Sequence, residues 1–315
     1  MLVSFILSFR NESENIEELV KRISKTILEL KKYKYELIFI NDSSTDNSLE
    51  LLIKLQKDFP ITIINMSRRF GNPSCRIAGF EHANGDIIID MDSDLQDPPE
   101  LVAQMIKEHE NGYEIVHTKR TKRMGESILK MFFTKIGYNI INFFSDINLG
   151  NNVGDFKLYS KKALKQLLKI NEINPYFRGI SVWIGYNQTT IEYQREARFA
   201  GTTKYRWLSK KIFTPEGAFA EFFRGIVSFS NMPLYLILLT GVIIFIITIF
   251  ILFYAIYIKL ANLTGTGIPT LIILISLFGS LTLISLGVIG IYIAKIFDQT
   301  KNRPKYIIDN ILKKN

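Results

Sequence analysis

The 315-residue sequence contains one cysteine, Cys75, so no disulfide can form within the chain. That suits a reducing compartment. Its three histidines, His82, His109 and His117, follow no zinc-ligand spacing and read as structural. No Ser-His-Asp arrangement, phosphate-binding P-loop or Gly-x-Gly-x-x-Gly run is present. Two stretches lack charge altogether: residues 231–258, 28 positions, and residues 260–294, 35 positions. Each exceeds the ~20 apolar residues that cross a bilayer, which excludes a wholly soluble protein. Nothing before residue 231 has this character, which excludes a many-span transporter. The apolar start, MLVSFILSF, lacks a basic leader and meets Arg10 and Glu12 at once. It reads as a core strand and not as a signal sequence.

Charged residues make up 22% of the chain, close to the ~25% of ordinary folded proteins, so disorder is not expected. The net charge is +9. From Met232 onward, seven Lys or Arg stand against two acids, and six of the seven follow the second apolar stretch. The positive-inside rule then places residues 1–230 and the basic tail, residues 295–315, in the cytoplasm. Residues 259–267 become a short loop on the outer side. No basic stripe concentrates on the first 230 residues, so the positive charge points to anionic lipid headgroups and not to nucleic acid.

Residues 2–119 alternate apolar runs of strand length with segments of helical spacing. Strands are expected at residues 2–9, 35–40, 61–66, 86–91 and 115–119. Helices are expected at residues 13–30, 46–58, 73–84 and 98–110. This is the pattern of an α/β fold built on a largely parallel sheet. Ligands of such sheets bind beyond the C-terminal strand ends, so the polar turns after the first, second and fourth strands are the places to search. Residues 125–145 and 213–229 are rich in phenylalanine and isoleucine with interspersed Lys or Arg. They read as helices lying in the membrane interface.

The fourth strand runs into Asp92-Ser93-Asp94-Leu95-Gln96-Asp97-Pro98-Pro99-Glu100. Four carboxylates in nine residues are costly unless a cation is near. A D-x-D at a strand end presents two hard oxygen ligands on one side of a turn. That suits Mg²⁺ or Mn²⁺ shared with the phosphates of a nucleotide diphosphate.

These motifs resemble the inverting family-2 glycosyltransferases that act on polyisoprenyl phosphates. The nearest type is the bactoprenol (undecaprenyl-phosphate) glucosyltransferases; dolichyl-phosphate mannose synthases are more distant. The DSDLQDPPE run carries most of the likeness. Phe70-Gly71, Ala78-Gly79-Phe80, Gly154-Asp155-Phe156-Lys157-Leu158, Arg195 to Gly201 with Thr203-Lys204-Tyr205, and two C-terminal spans complete it. The first two family motifs depart from the pattern. Ser8-Phe9-Arg10-Asn11-Glu12 lacks the proline and tyrosine, and Asn41-Asp42-Ser43-Ser44-Thr45-Asp46 has serine for glycine.

The resemblance implies a GT-A-like domain over residues 1–230 with a mixed, largely parallel sheet, then transmembrane helices at 231–258 and 268–294. It implies a nucleotide-diphosphate sugar as donor, polyprenyl phosphate as acceptor, and a homo-oligomer, a tetramer in related enzymes. Asp92, Asp94 and Gln96 take the metal and diphosphate positions. Asn11, Glu12 and Asp42 take the base and ribose positions, with Arg198 and Lys204 near the donor diphosphate. Asp155 takes the catalytic-base position. Arg120 and Arg123, with Ser127, are expected to hold the acceptor phosphate, and Arg178-Gly179 resembles a supporting segment. The function expected is transfer of a hexose, glucose from UDP-glucose, at the cytoplasmic membrane face. A GDP-mannose-dependent synthase and a non-catalytic membrane scaffold are the competing readings. A processive polysaccharide synthase would need a Q-x-x-R-W motif and more spans, and neither is here.

A phosphate acceptor changes what Asp155 must do. An alcohol needs a general base before it attacks. A phosphate monoester, with a second pKa near ~6, is already largely dianionic at pH 7. Asp155 is therefore expected to orient groups more than to abstract a proton.

Overall fold

The computed structural model describes residues 1–122, 153–173, 175–196, 228–261 and 267–314. The chain divides into two compact units. The first carries an eight-stranded sheet with its helices, and the second the two long apolar helices.

In the first unit, β1 (Leu2–Phe9), β2 (Lys34–Asn41), β3 (Ile61–Met66) and β4 (Ile87–Asp92) pair in parallel, in the order β3-β2-β1-β4. Their near-continuous Ile, Leu and Phe runs suit strands covered on both faces. One face packs on α1 (Ser13–Glu29), α2 (Ser48–Leu55) and α4 (Leu101–Glu110), with Val3, Phe5 and Leu7 against Ile16, Leu19 and Ile23. The other face packs on α3 (Asn72–His82). Beyond β4 the sheet continues through β6 (Val153–Ser160), antiparallel to β4. Next come β5 (Ile115–Lys122), antiparallel to β6, and β7 (Gln188–Gln194), parallel to β5. Two short helices flank this half, α5 (Lys161–Leu167) and α6 (Phe177–Trp183).

Gly79 fixes how closely α3 approaches the sheet. A Cβ there would run into the Ile6 side chain and lie 2.8 Å from Ile40 Cδ1. Both neighbours are buried, branched and unable to retreat. Gly79→Ala is expected to destabilise the sheet-bearing unit by about 1–3 kcal/mol, read as a lowered unfolding midpoint of the full chain.

The end of the chain differs from expectation. Residues 308–313, expected to lie in a basic tail, form β8 (Ile308–Lys313), antiparallel to β3 at the sheet edge. The reason is in the side chains. Asn41, Asn65 and Asn310 form a ladder across β2, β3 and β8, with Nδ2-to-Oδ1 bonds of 2.9 and 2.7 Å. Gln56 Nε2 donates to the carbonyls of Ile61 and Leu312. Tyr306 donates to Glu81, and Lys305 to the Ile170 carbonyl at 3.0 Å. Counting charge alone hid these partners.

The second unit holds α7 (Met232–Leu260) and α8 (Ile268–Thr300). At 29 and 33 residues, they reach roughly 43 and 50 Å, longer than a bilayer core. Their spanning segments have mean hydropathies of 3.2 and 2.2, with nothing burying them. Tyr292 donates to the Ser230 carbonyl at 2.7 Å, and Lys295 Nζ to Ser228 Oγ at 2.8 Å. The last turns of α8 thus meet the chain just before α7, as in an antiparallel hairpin. The interfacial helices expected at 125–145 and 213–229 lie outside the described residues, apart from residues 228 and 229.

Candidate active site at the ends of the parallel strands

The register sets the site. Ser8 pairs with Asp92 and Phe9 with Asn41, so the turns after β1, β2 and β4 open on one edge of the sheet. Side chains alternate along a strand, which puts Asp90 and Asp92 of β4 on one face. Asp90 pairs with Lys157 across the antiparallel β4–β6 ladder. Asp155, two places earlier on β6, lies on the same face and toward Asp92.

The turn after β4 is held from three sides. Leu95 adopts a positive φ of 56°, and its side chain is fully buried in the core. That burial offsets a left-handed backbone that a leucine otherwise avoids. Ser93 Oγ donates to the Ser8 carbonyl at 3.0 Å, and the Gln96 amide donates to Asp94 Oδ1 at 3.3 Å. Burial pushes the Asp92 carboxyl up to about 7, and the charges of Asp94, Asp97 and Asp155 push in the same direction. A cation beside Asp92 and Asp94 would relieve this. Among the described residues, no cluster of three or more His, Cys, Asp or Glu side chains could enclose a metal by itself. Two carboxylates fit an ion that takes its other ligands from water and phosphate, as Mg²⁺ commonly does. Gln96, the third expected member, is half-buried on the same turn.

Asp155 sits in a cationic clamp. Arg178, from α6, donates through Nε to Oδ1 at 3.1 Å and through Nη2 to Oδ2 at 2.5 Å. Arg76, from α3, reaches Oδ1 at 3.2 Å and also grips Asp90. Its guanidinium stacks over the Phe177 ring at 4.6 Å. Burial alone would raise the Asp155 pKa. Arg178 and Arg76 prevail and hold it far below the usual carboxylate range. A carboxylate held so firmly in its charged form is a poor proton acceptor near neutrality. Beneath it lies Lys157, fully buried and bonded to Ser181. Burial pulls its ammonium down to about 7.

The expected base and ribose residues hold loops. Asn11, at φ 55°, accepts from the Thr45 amide at 2.8 Å and donates to Thr45 Oγ1 at 3.2 Å. Buried Glu12 accepts from Asn15 Nδ2 at 2.7 Å. Asp42 accepts the Phe70 amide at 2.7 Å and the Gly71 amide at 3.2 Å, which seats the start of α3. These contacts tie the first two motifs and the Phe70-Gly71 turn to one another at the C-terminal ends of β1 and β2. Arg120, at the end of β5, is bonded to Tyr193 and Asp97. Arg123, Ser127, Arg198 and Lys204 lie outside the described residues.

Reading the sequence missed Arg76, Asp90 and Tyr193, and gave no role to Asp97 and Lys157, which stand inside its motifs. Two of them carried a signal. Asp90 and Lys157 are charges two positions from Asp92 and Asp155 inside otherwise apolar strands, a spacing that puts each pair on one face.

The model of the family described as "Glycosyl transferase family 2" matches residues 4–168. An uncharacterized glycosyltransferase, YkcC, of Bacillus subtilis is 38% identical over 97% of this chain and 92% of its own. The bactoprenol glucosyl transferase of Shigella phage SfV is 33% identical over 98% of this chain and 99% of its own. Among solved structures, glucosyl-3-phosphoglycerate synthase of Mycobacterium tuberculosis was determined with Mn²⁺, UDP-glucose and phosphoglyceric acid. It covers 64% of this chain and 73% of its own at 17% identity and a TM-score of 0.45. The acidic turn that closes β4 lies inside the matched segment, and the full-length likeness extends through both apolar helices. This chain therefore belongs to glycosyl transferase family 2.

Proposed function

We propose that the protein transfers a hexose, glucose from UDP-glucose, to undecaprenyl phosphate at the cytoplasmic face of the membrane, with inversion at the anomeric carbon. The observation that carries this reading is the pairing of the Asp92–Asp94 turn with an Asp155 that two arginines keep ionised. It supplies an anionic seat for a metal–diphosphate and a fixed carboxylate for sugar or acceptor. It does not supply a poised base. That matches a phosphate nucleophile, which needs no proton removed.

In this reading Asp92, Asp94 and Gln96 hold Mg²⁺ or Mn²⁺, which when bound offsets charge on the leaving diphosphate. Asn11, Glu12 and Asp42 shape the nucleotide wall, and Arg198 and Lys204 approach the donor diphosphate. Arg178 and Arg76 keep Asp155 charged and fixed in direction. Arg120, Arg123 and Ser127 receive the acceptor phosphate and aim it at the sugar face opposite the leaving group. The near-full-length likeness to bactoprenol glucosyl transferases supports glucose and a polyprenyl acceptor. The return of β8 to the sheet supports a two-span hairpin, because the domain and the chain end must share one side of the membrane.

Membranes containing the full chain, supplied with undecaprenyl phosphate and a panel of radiolabelled nucleotide sugars, test the proposal. Label should enter the organic phase from UDP-glucose. Incorporation from GDP-mannose alone would instead establish the mannose-synthase reading. No incorporation from any donor would favour a scaffold.

A further inference from the structure

Arg120 is not presented to the site as an isolated cation. Its side chain is only 10% exposed, and two groups fix it. Nε donates to Tyr193 Oη at 3.1 Å, and Nη2 approaches Asp97 Oδ1 at 3.5 Å. Tyr193 in turn donates its hydroxyl proton to the same Asp97 oxygen. Asp97 is fully buried, so its charge faces these partners and Arg195, whose Nε lies 4.0 Å from the same oxygen, and not water. Across from it lies Gly154: a Cβ there would be in ordinary contact with Nε and Nη2, 3.6 Å from each, and closer, at 3.3 Å, to Thr118 Oγ1. Arg120 of β5 thus has Tyr193 of β7 on one side and Gly154 of β6, the residue that precedes Asp155, on the other. Nη1 makes no hydrogen bond to the described residues.

Two accounts of Asp97 are possible, and they predict opposite signs. If Asp97 only neutralises Arg120, it weakens the attraction for a phosphate. The geometry argues otherwise. At 3.5 Å the direct contact is long for a charge pair, whose N–O distance is ordinarily ~2.7–2.9 Å. The shorter path runs through the Tyr193 hydroxyl, whose proton goes to Asp97 and whose lone pair takes the Arg120 Nε–H. That arrangement sets the direction of the guanidinium plane more than it cancels its charge.

We infer that Asp97 and Tyr193 are positioning residues for Arg120, turning its remaining Nη edge toward the phosphate of the acceptor lipid. The inference rests on the proposed role of Arg120 as an acceptor-phosphate ligand. It also gives the final aspartate of the D-S-D-L-Q-D turn a task apart from the first two. One turn then carries the donor-side carboxylates at Asp92 and Asp94 and orients the acceptor-side cation through Asp97.

The test is equilibrium binding of undecaprenyl phosphate to the full-length chain in detergent, with undecaprenol as the phosphate-free control. Thermal unfolding and UDP binding are followed in parallel. Tyr193→Phe removes one hydroxyl and no charge; it should weaken undecaprenyl phosphate binding by about tenfold and leave UDP and undecaprenol unchanged. Asp97→Asn should also weaken it, although it removes a negative charge near a phosphate. Tighter binding in Asp97→Asn would make Asp97 a neutralising group and overturn the inference. Unchanged binding in Tyr193→Phe, with Arg120→Ala defective, would overturn it while leaving the role of Arg120 intact. If Arg120→Ala binds normally, the acceptor role falls and the inference with it. Should Asp97→Asn fail to fold, the Tyr193→Phe result decides alone.

Discussion

Asp94→Asn is expected to lower sugar transfer by at least about a thousandfold while the chain stays folded and inserted. The size follows from what the residue offers. A carboxylate that holds a metal against a leaving diphosphate acts on charge that develops only in the transition state, where losses are large. The fold should survive because asparagine keeps the oxygen that accepts the Gln96 amide, and the turn rests on buried Leu95 and on Ser93. Radiolabel in the organic phase measures the first effect; membrane fractionation and the unfolding midpoint measure the second. Near-normal turnover in a folded Asp94→Asn protein would remove the metal from this turn.

Asp155→Ala should be harmful in two separable ways. It removes the carboxylate on which Arg178 and Arg76 converge, and buried pairs broken from one side typically lose about 3–5 kcal/mol. The Asp155 side chain is 24% exposed and Arg76 keeps Asp90, so roughly 2–3 kcal/mol is expected here. Transfer should fall by at least about a hundredfold. The pH dependence follows from the lowered pKa of Asp155. Its folded value lies below its unfolded value of ~3.9, so its contribution is fully present above that value. It is lost only as pH falls further, through the folded value. Asp155's own titration therefore adds no slope between pH 5 and 8 to the stability gap between the wild-type chain and Asp155→Asn, and its contribution begins to fade below about pH 4; any slope near neutrality comes from Asp92 and Lys157, both near 7 and both acted on by the Asp155 charge. In the rate profile, Asp155 should contribute no acidic limb between pH 5 and 8. A limb near ~6 that follows the second ionisation of the acceptor phosphate should persist whatever residue stands at 155, whereas a limb from Asp92 or Lys157, both near 7, should shift when the Asp155 charge is removed. A limb that disappears in Asp155→Asn and is restored by Asp155→Glu, with Asp92 and Lys157 unchanged, would make Asp155 a general base.

The first half of the sheet was legible because its strands are runs of Ile, Leu and Phe between helices with apolar faces. From β6 onward that signal fades. VGDFKLYS and QTTIEYQ carry charges and polar groups within strand length, and IDNILK sits in a stretch whose lysines read as a tail. Their strand character comes from partners distant in sequence, such as Asn65 for Asn310. The site divides the same way. The place of Asp92 and Asp94 was legible because it is local, a D-x-D at the end of a strand. The arginines around Asp155 come from α3 and α6, and only the fold brings them within reach of one carboxylate. Asp42 adds a role that its motif did not show: its oxygens hold the Phe70 and Gly71 amides.

The place of β8 also bears on how the protein is made. Synthesis runs from the N-terminus, so the strand that completes the sheet leaves the ribosome after both apolar helices. Until then β3 has an open edge, with backbone groups and the Asn65 amide awaiting Asn310. Open edges of this kind invite wrong pairings. The sheet therefore reaches its final form only after both apolar helices have been made, so its edge closes late in synthesis.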